Sequence, residues 1–168
     1  MHHVQSFPPI EHPQASILIL GSMPGKASLQ AGQYYAHPRN AFWPIMGELV
    51  GAVPGLSYPE RIEKLRSAGI ALWDVLAYCA RNGSLDADIV EDTISPNNFK
   101  RFFLTHTHVS RVFFNGGMAE KCFQRYVLPT LEVQPINFKR LPSTSPAHAS
   151  MPYAQKLNVW ASAIKINR

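Results

Sequence analysis

Four short strand-like segments, three of them apolar runs, each closed by a turn-forming loop and spaced so that a helix fits between neighbours, constrain this chain more than any other feature. Ile17-Leu18-Ile19-Leu20 is rich in β-branched residues and stops at Gly21, which reads as a buried strand. Ile70-Ala71-Leu72-Trp73 follows Gly69 and reads as a second strand. Residues 109–114, ended by Asn115-Gly116-Gly117, form a third, and residues 135–141 a fourth. Helices are expected over 41–50, 59–68, 98–105, 118–126 and 151–164. For the first of these Asn40 is the N-cap and Gly51 the stop, and Pro44 falls in the first turn, where a missing N–H does no harm. Leu157, Trp160 and Ile164 lie on one stripe of the last. Strands alternating with helices imply an α/β fold, a parallel sheet covered by helices on both faces. Such sheets bind ligands beyond the carboxyl ends of their strands. The loops after Leu20, Trp73, Phe114 and Leu141 are therefore the places to look for function.

At 168 residues with 46% hydrophobic content, one domain spanning the chain is expected. The two cysteines, Cys79 and Cys122, are too few for a four-cysteine metal centre. With no apolar signal-like run at the N-terminus and no membrane-length stretch, a reduced, cytoplasmic, nucleoid-associated setting and a monomer are expected. The net charge of +5 and pI of 9.4 favour an anionic partner, nucleic acid first, although a solvated basic surface would show the same balance.

Gly21-Ser22-Met23-Pro24-Gly25-Lys26-Ala27-Ser28 comes close to a phosphate-binding loop. It has three residues between its glycines instead of four, Ala27 where Ser or Thr should follow lysine, and Pro24 removing an N–H donor. A serine-hydrolase elbow fits less well, because Ser22 is not centred between the right glycines. Downstream, Gln33-Tyr34-Tyr35-Ala36-His37-Pro38-Arg39-Asn40-Ala41-Phe42-Trp43 mixes aromatic, basic and amide side chains just before a helix. Phe42 and Trp43 read as core anchors. Tyr34, Tyr35, His37 and Arg39 suit base stacking and phosphate binding.

These segments, with Pro142-Ser143-Thr144-Ser145-Pro146-Ala147, Gly69 to Leu76 and Phe114-Asn115-Gly116, closely resemble the DNA-deoxyinosine (hypoxanthine-DNA) glycosylase family of the uracil-DNA glycosylase superfamily. The resemblance runs over nearly the whole chain. It implies a three-layer α/β/α sandwich around a central four-stranded parallel sheet. The implied activity is flipping a deaminated base out of DNA and hydrolysing its N-glycosidic bond. On this resemblance the base is held by Gly21, Met23, Pro24, Gly25, Tyr35, Trp73 and Asn115, with Tyr35 as the stacking aromatic and Trp73 and Asp74 at the base edge. DNA is bound by Lys26, Arg39, Ser143, Thr144, Ser145, Pro146, Ala147 and His148, with Ala147 at the wedge position. The catalytic set is Asn40, Ser22 and Asp74. Asn40 matches the family's water-orienting amide, and a helix cap is its alternative reading. Ser22 stands where several superfamily members carry Asp or Asn, so it is expected to matter less than Asn40. Asp74 either activates water or caps the next helix.

The implied reaction is monofunctional, since no motif lysine is placed as a Schiff-base nucleophile. No cofactor and no metal are expected: His106-Thr107-His108 has metal-like spacing but precedes a strand, at the end away from the ligand face. Asp86-Ala87-Asp88-Ile89-Val90-Glu91-Asp92 is expected to be a solvated loop lying away from DNA. Two other functions stay open on the residues alone: a non-catalytic reader of DNA lesions, and a nucleotide-binding α/β protein using the near-miss phosphate loop.

Overall fold

The computed structural model describes residues 2–132 and 135–165. Its centre is a parallel sheet of β2 (Ile17–Gly21), β3 (Ile70–Asp74), β6 (Arg111–Asn115) and β7 (Asn137–Leu141) in the order β3-β2-β6-β7. Successive side chains of a strand point to opposite faces, and here both faces are covered. Leu18, Leu20, Ala71, Val112 and Phe114 pack on one side with Phe99, Phe102 and Phe123. Ile17, Ile19, Ile70, Leu72 and Phe113 pack on the other with Phe42, Ile45, Met46, Leu65 and Trp160. That is why β2, β3 and β6 read as apolar runs rather than alternating ones, while β7 is exposed from Asn137 to Arg140. Each fully buried Leu, Ile or Phe contributes roughly 1.5–3 kcal/mol. The second face is built by α2 (Phe42–Val50), α3 (Tyr58–Ser67) and α6 (Tyr153–Ala163), and the first by α4 (Phe99–Thr105) and α5 (Gly117–Cys122). The layers are the α/β/α sandwich the sequence implies.

Three expectations are corrected. Lys26–Ala31 is a short helix, α1, between Gly25 as N-cap and Gly32 in the left-handed region (φ 65°), an element absent from the helices expected in sequence. The expected helix over 118–126 begins at Gly117 and relaxes after Cys122 into a π turn, Phe123–Val127. The largest departure is a second sheet, antiparallel, of β1 (His3–Gln5), β4 (Leu76–Arg81) and β5 (Ile89–Pro96) in the order β1-β4-β5. The chain passes from β3 into β4 through Val75 alone. Asn97 holds this bend: its N–H donates to the Val75 carbonyl (2.9 Å) and its amide Nδ2 to the Asp74 carbonyl (2.8 Å). The acidic stretch from Asp86 is therefore a 3-10 turn, Asp86–Asp88, leading into β5. Glu91 and Asp92 are exposed there, so solvent-facing charge on a strand passed for loop.

The strand order reverses direction between β2 and β6: the chain goes from β2 outward to β3, then returns to the other side of β2 for β6. A crevice opens beyond the carboxyl ends of the strands at such a point.

Candidate active site

A cavity of about 680 Å³ occupies that crevice, within the usual range for small-ligand sites. Its floor is made where β2 and β3 end side by side, Gly21 paired in register with Asp74. A Cβ on Gly21 would stand 2.5 Å from Asp74 Oδ1 and 2.8 Å from the Tyr35 hydroxyl, so only glycine lets these groups come so close. Asp74 is 3% exposed, and its Oδ2 makes no hydrogen bond among the described residues. Burial pushes its carboxyl up to about 7, the negative charge of Asp86 adds to this, and Arg81 draws it back. Tyr35 sits in the left-handed region at φ 53°, uncommon for a side-chain-bearing residue and a conformation that costs on the order of 1–2 kcal/mol. One face of its ring packs on Phe42, with centroids 4.2 Å apart. Its buried hydroxyl makes no hydrogen bond meeting distance and angle among the described residues. Burial and then Asp74 hold the phenol well above its ordinary range, the Asn115 amide acting the other way, so the phenol stays a proton donor.

The walls are held by hydrogen bonds between loops. Asn115 donates through Nδ2 to Thr144 Oγ1 and accepts through Oδ1 from the Thr144 N–H, both at 2.9 Å. Thr144's carbonyl accepts from the Ala41 N–H (3.0 Å), so the last loop is joined both to β6 and to the start of α2. Lys156, 5% exposed, donates to the Ser145 carbonyl (3.4 Å), and Trp160 Nε1 to the Pro142 carbonyl (2.9 Å). Asn40 Oδ1 accepts from the Phe42 N–H (2.9 Å). Ala41 is the residue at the N-cap position, yet Asn40 supplies the side-chain acceptor. The amide thus does part of a cap's work while lining the cavity. Opposite, Ser22 donates to Asp86 Oδ1 (2.5 Å), Ser84 Oγ accepts from the Lys26 N–H (3.0 Å), and buried Arg81 donates to the Pro24 carbonyl.

Of the residues singled out in sequence, Gly21, Ser22, Met23, Pro24, Gly25, Lys26, Tyr35, Arg39, Asn40, Asp74, Asn115 and Ser143 through His148 all line this one cavity. Trp73 is the exception and is corrected: it is not among the lining residues. Its ring packs on Phe99 (4.8 Å) and Phe102 (5.3 Å), and its Nε1 donates to the Phe7 carbonyl, so it serves the core. Alternation along β3 sends Trp73 to the core face while Asp74 ends the strand in the cavity. The sequence reading missed Ser84, Leu85, Asp86 and Ala87, which line the mouth. The acidic stretch was expected far from the site; its first residue faces the site because the β4–β5 hairpin folds over the loop after β2. Nothing in the local sequence signals that approach, which rests on pairing between distant strands. His106 is buried away from the cavity, stacked on Phe102 at 4.0 Å.

A parallel α/β sandwich with a cavity of this size at its strand-order reversal, floored by a buried carboxyl and an aromatic, has the form of an enzyme that encloses a small ligand beyond its strand ends. The sequence profile of the uracil DNA glycosylase superfamily matches residues 8–164. The chain belongs to that superfamily of DNA glycosylases, hydrolases of N-glycosyl bonds. It is 34% identical over 162 residues to a hypoxanthine DNA glycosylase of Methanosarcina barkeri (strain Fusaro / DSM 804), covering 96% of this chain and 98% of the relative. A hypoxanthine DNA glycosylase of Methanosarcina acetivorans is 32% identical over 145 residues, covering 86% and 87%. The fold is shared with the solution NMR structure of a Methanosarcina acetivorans protein described as a candidate uracil DNA glycosylase, with a TM-score of 0.76, 27% identity, and coverage of 96% and 98%.

Proposed function

We propose that this glycosylase removes deaminated purines, hypoxanthine first, from DNA and leaves an abasic site. The carrying observation is the floor of the cavity. There the buried Asp74 carboxyl, with one oxygen unpartnered among the described residues, stands beside a phenol that stays a donor. A carboxyl held near neutrality can keep its proton at pH 7 and give it to a departing base. The C1′–N bond breaks with its electron pair kept by the base. Asp74 supplies the proton that makes the base neutral, and water, oriented by the Asn40 amide, adds its oxygen to C1′ while one of its O–H bonds breaks and that proton leaves toward the open side of the cavity. Tyr35 stacks on the base with the ring face not taken by Phe42. The two relatives named as hypoxanthine DNA glycosylases support the purine. The donor-and-acceptor edge common to hypoxanthine, xanthine and uracil, which adenine reverses, is the feature a site for deaminated bases would read. The deciding assay is base release from oligonucleotides carrying deoxyinosine, deoxyxanthosine, deoxyuridine or only normal bases. Hypoxanthine release with an intact phosphodiester backbone is expected. Binding to the inosine strand without release from any substrate would instead make the protein a lesion reader.

A further inference from the structure

We infer that Asp86, reaching the cavity from the β4–β5 hairpin, is a positioning residue for the hydrolytic water and acts through the Ser22 hydroxyl. This rests on the glycosylase reading above. Ser22 and Asp86 lie 64 positions apart, yet the hydroxyl donates to Asp86 Oδ1 at 2.5 Å and both residues line the cavity. The approach is built at three points: besides Ser22 to Asp86, Ser84 accepts from the Lys26 N–H and buried Arg81 donates to the Pro24 carbonyl. A Cβ on Gly83 would run into the Asp88 carboxylate, so glycine there lets Asp88 fold back on the tip while Asp86 turns to Ser22.

A hydroxyl has one proton to give. With that proton committed to Asp86, the Ser22 oxygen can only accept from the cavity side. A water seated there donates an O–H to Ser22 and keeps a lone pair for C1′. As the water oxygen bonds to C1′, its proton passes to Ser22 Oγ while Ser22's own proton passes to Asp86. The C1′–N bond breaks with its electrons on the base, which takes the Asp74 proton. One carboxyl gains a proton and the other loses one, so charge balances within the site. Asp86 stands at the exposed rim and can return its proton to solvent, whereas Asp74 is closed in at the floor.

Asp86 is exposed as a residue, but its carboxyl is turned in against Ser22, and that partial burial raises it, with the Ser22 hydrogen bond and Arg81 drawing it down. The charged groups around it are Asp74 of β3 and Arg81 of β4, with Lys26, His37, Arg39 and His148 lining the same cavity. The rate should therefore rise with pH as Asp86 ionises, at a pH above the ordinary carboxylate range.

The test is single-turnover base release at saturating enzyme, measured across pH on the full chain. Asp86→Asn and Ser22→Ala are each expected to slow release about tenfold or more without weakening DNA binding, Asp86→Asn binding somewhat more tightly for the loss of an acid at the mouth. The double variant should be no slower than the slower single, and the acidic limb should vanish in Asp86→Asn. Asp86→Glu should restore part of the rate, and Asp88→Asn should match wild type. Ser22→Ala probes the same link without altering the hairpin, should Asp86→Asn fail to fold. Wild-type rate and an unchanged acidic limb in folded Asp86→Asn overturn the proposal, as do rate losses that multiply in the double variant. A wild-type protein that releases no base from any of the oligonucleotides overturns the glycosylase reading, and this inference with it.

Discussion

Asp74 is a buried carboxyl whose proton affinity the fold raises. Its carboxyl stands at about 7 in the folded chain against 3.8 for an unperturbed aspartate. Below pH 3.8 both states are protonated and the difference contributes nothing. As pH rises toward 7 the unfolded chain ionises while the folded one resists, so wild type loses stability across that window. Asp74→Asn cannot ionise in either state. Its unfolding free energy is expected to exceed that of wild type by a few kcal/mol at pH 8, since each pH unit separating the folded and unfolded carboxyl is worth about 1.4 kcal/mol, and to converge with it below pH 4. Denaturant melts at the two pH values check this. Base release should move oppositely, falling in wild type as pH passes about 7 and being slow and free of that limb in the variant. Tyr35 acts through its ring. Tyr35→Ala should weaken binding to an inosine-containing strand by roughly 1–3 kcal/mol, while Tyr35→Phe keeps most of the affinity; fluorescence titration of the oligonucleotide separates the two.

Among the elements, α2 and the loop after β7 hold the site together through single side chains. Asn40 lines the cavity and accepts from the Phe42 N–H at the start of α2. Asn40→Ala is expected to slow single-turnover release by about 10²-fold, close to 3 kcal/mol of barrier, against about 1 kcal/mol of stability for the lost cap. Asn40→Asp keeps the capping oxygen, so a stable but altered enzyme with a new pH dependence would mark chemistry rather than folding. Asn115 spends both ends of its amide on Thr144. Asn115→Ala should loosen the loop over 142–148, costing on the order of 1–3 kcal/mol of stability and raising the DNA Kd more than it slows a bound substrate. A saturation curve under single-turnover conditions resolves the two effects.

For the whole molecule, charge decides how DNA is met. The net charge is +5, and Lys26, His37, Arg39 and His148 stand around the cavity, with Asp86 the acid at its mouth. DNA affinity should fall with salt, log K against log salt having a slope of about −0.7 to −0.9 per phosphate contacted. A titration series from low to physiological salt measures it, and an affinity indifferent to salt would rule out phosphate binding by this face. The inner strands of the parallel sheet were legible in the chain because β2, β3 and the middle of β6 are buried on both faces, and such burial writes itself into sequence as unbroken apolar runs such as Ile17 to Leu20, whereas β7 is exposed from Asn137 to Arg140. The motif loops were legible too, since glycine is required where Gly21 meets Asp74 and Tyr35, and local chemistry of that kind leaves its residue type behind. The second sheet, the inward turn of Asp86 and the retreat of Trp73 into the core left no such mark. They depend on strand pairing between residues far apart, such as Tyr78 with Ser95, on the bend at Val75, and on which face of β3 each side chain takes. Sequence thus determined the elements and the loop chemistry, because backbone conformation and burial act on neighbouring residues. Only the tertiary structure decided which side chains share the cavity, because a carboxylate acquires its proton affinity from whatever distant groups the fold sets beside it.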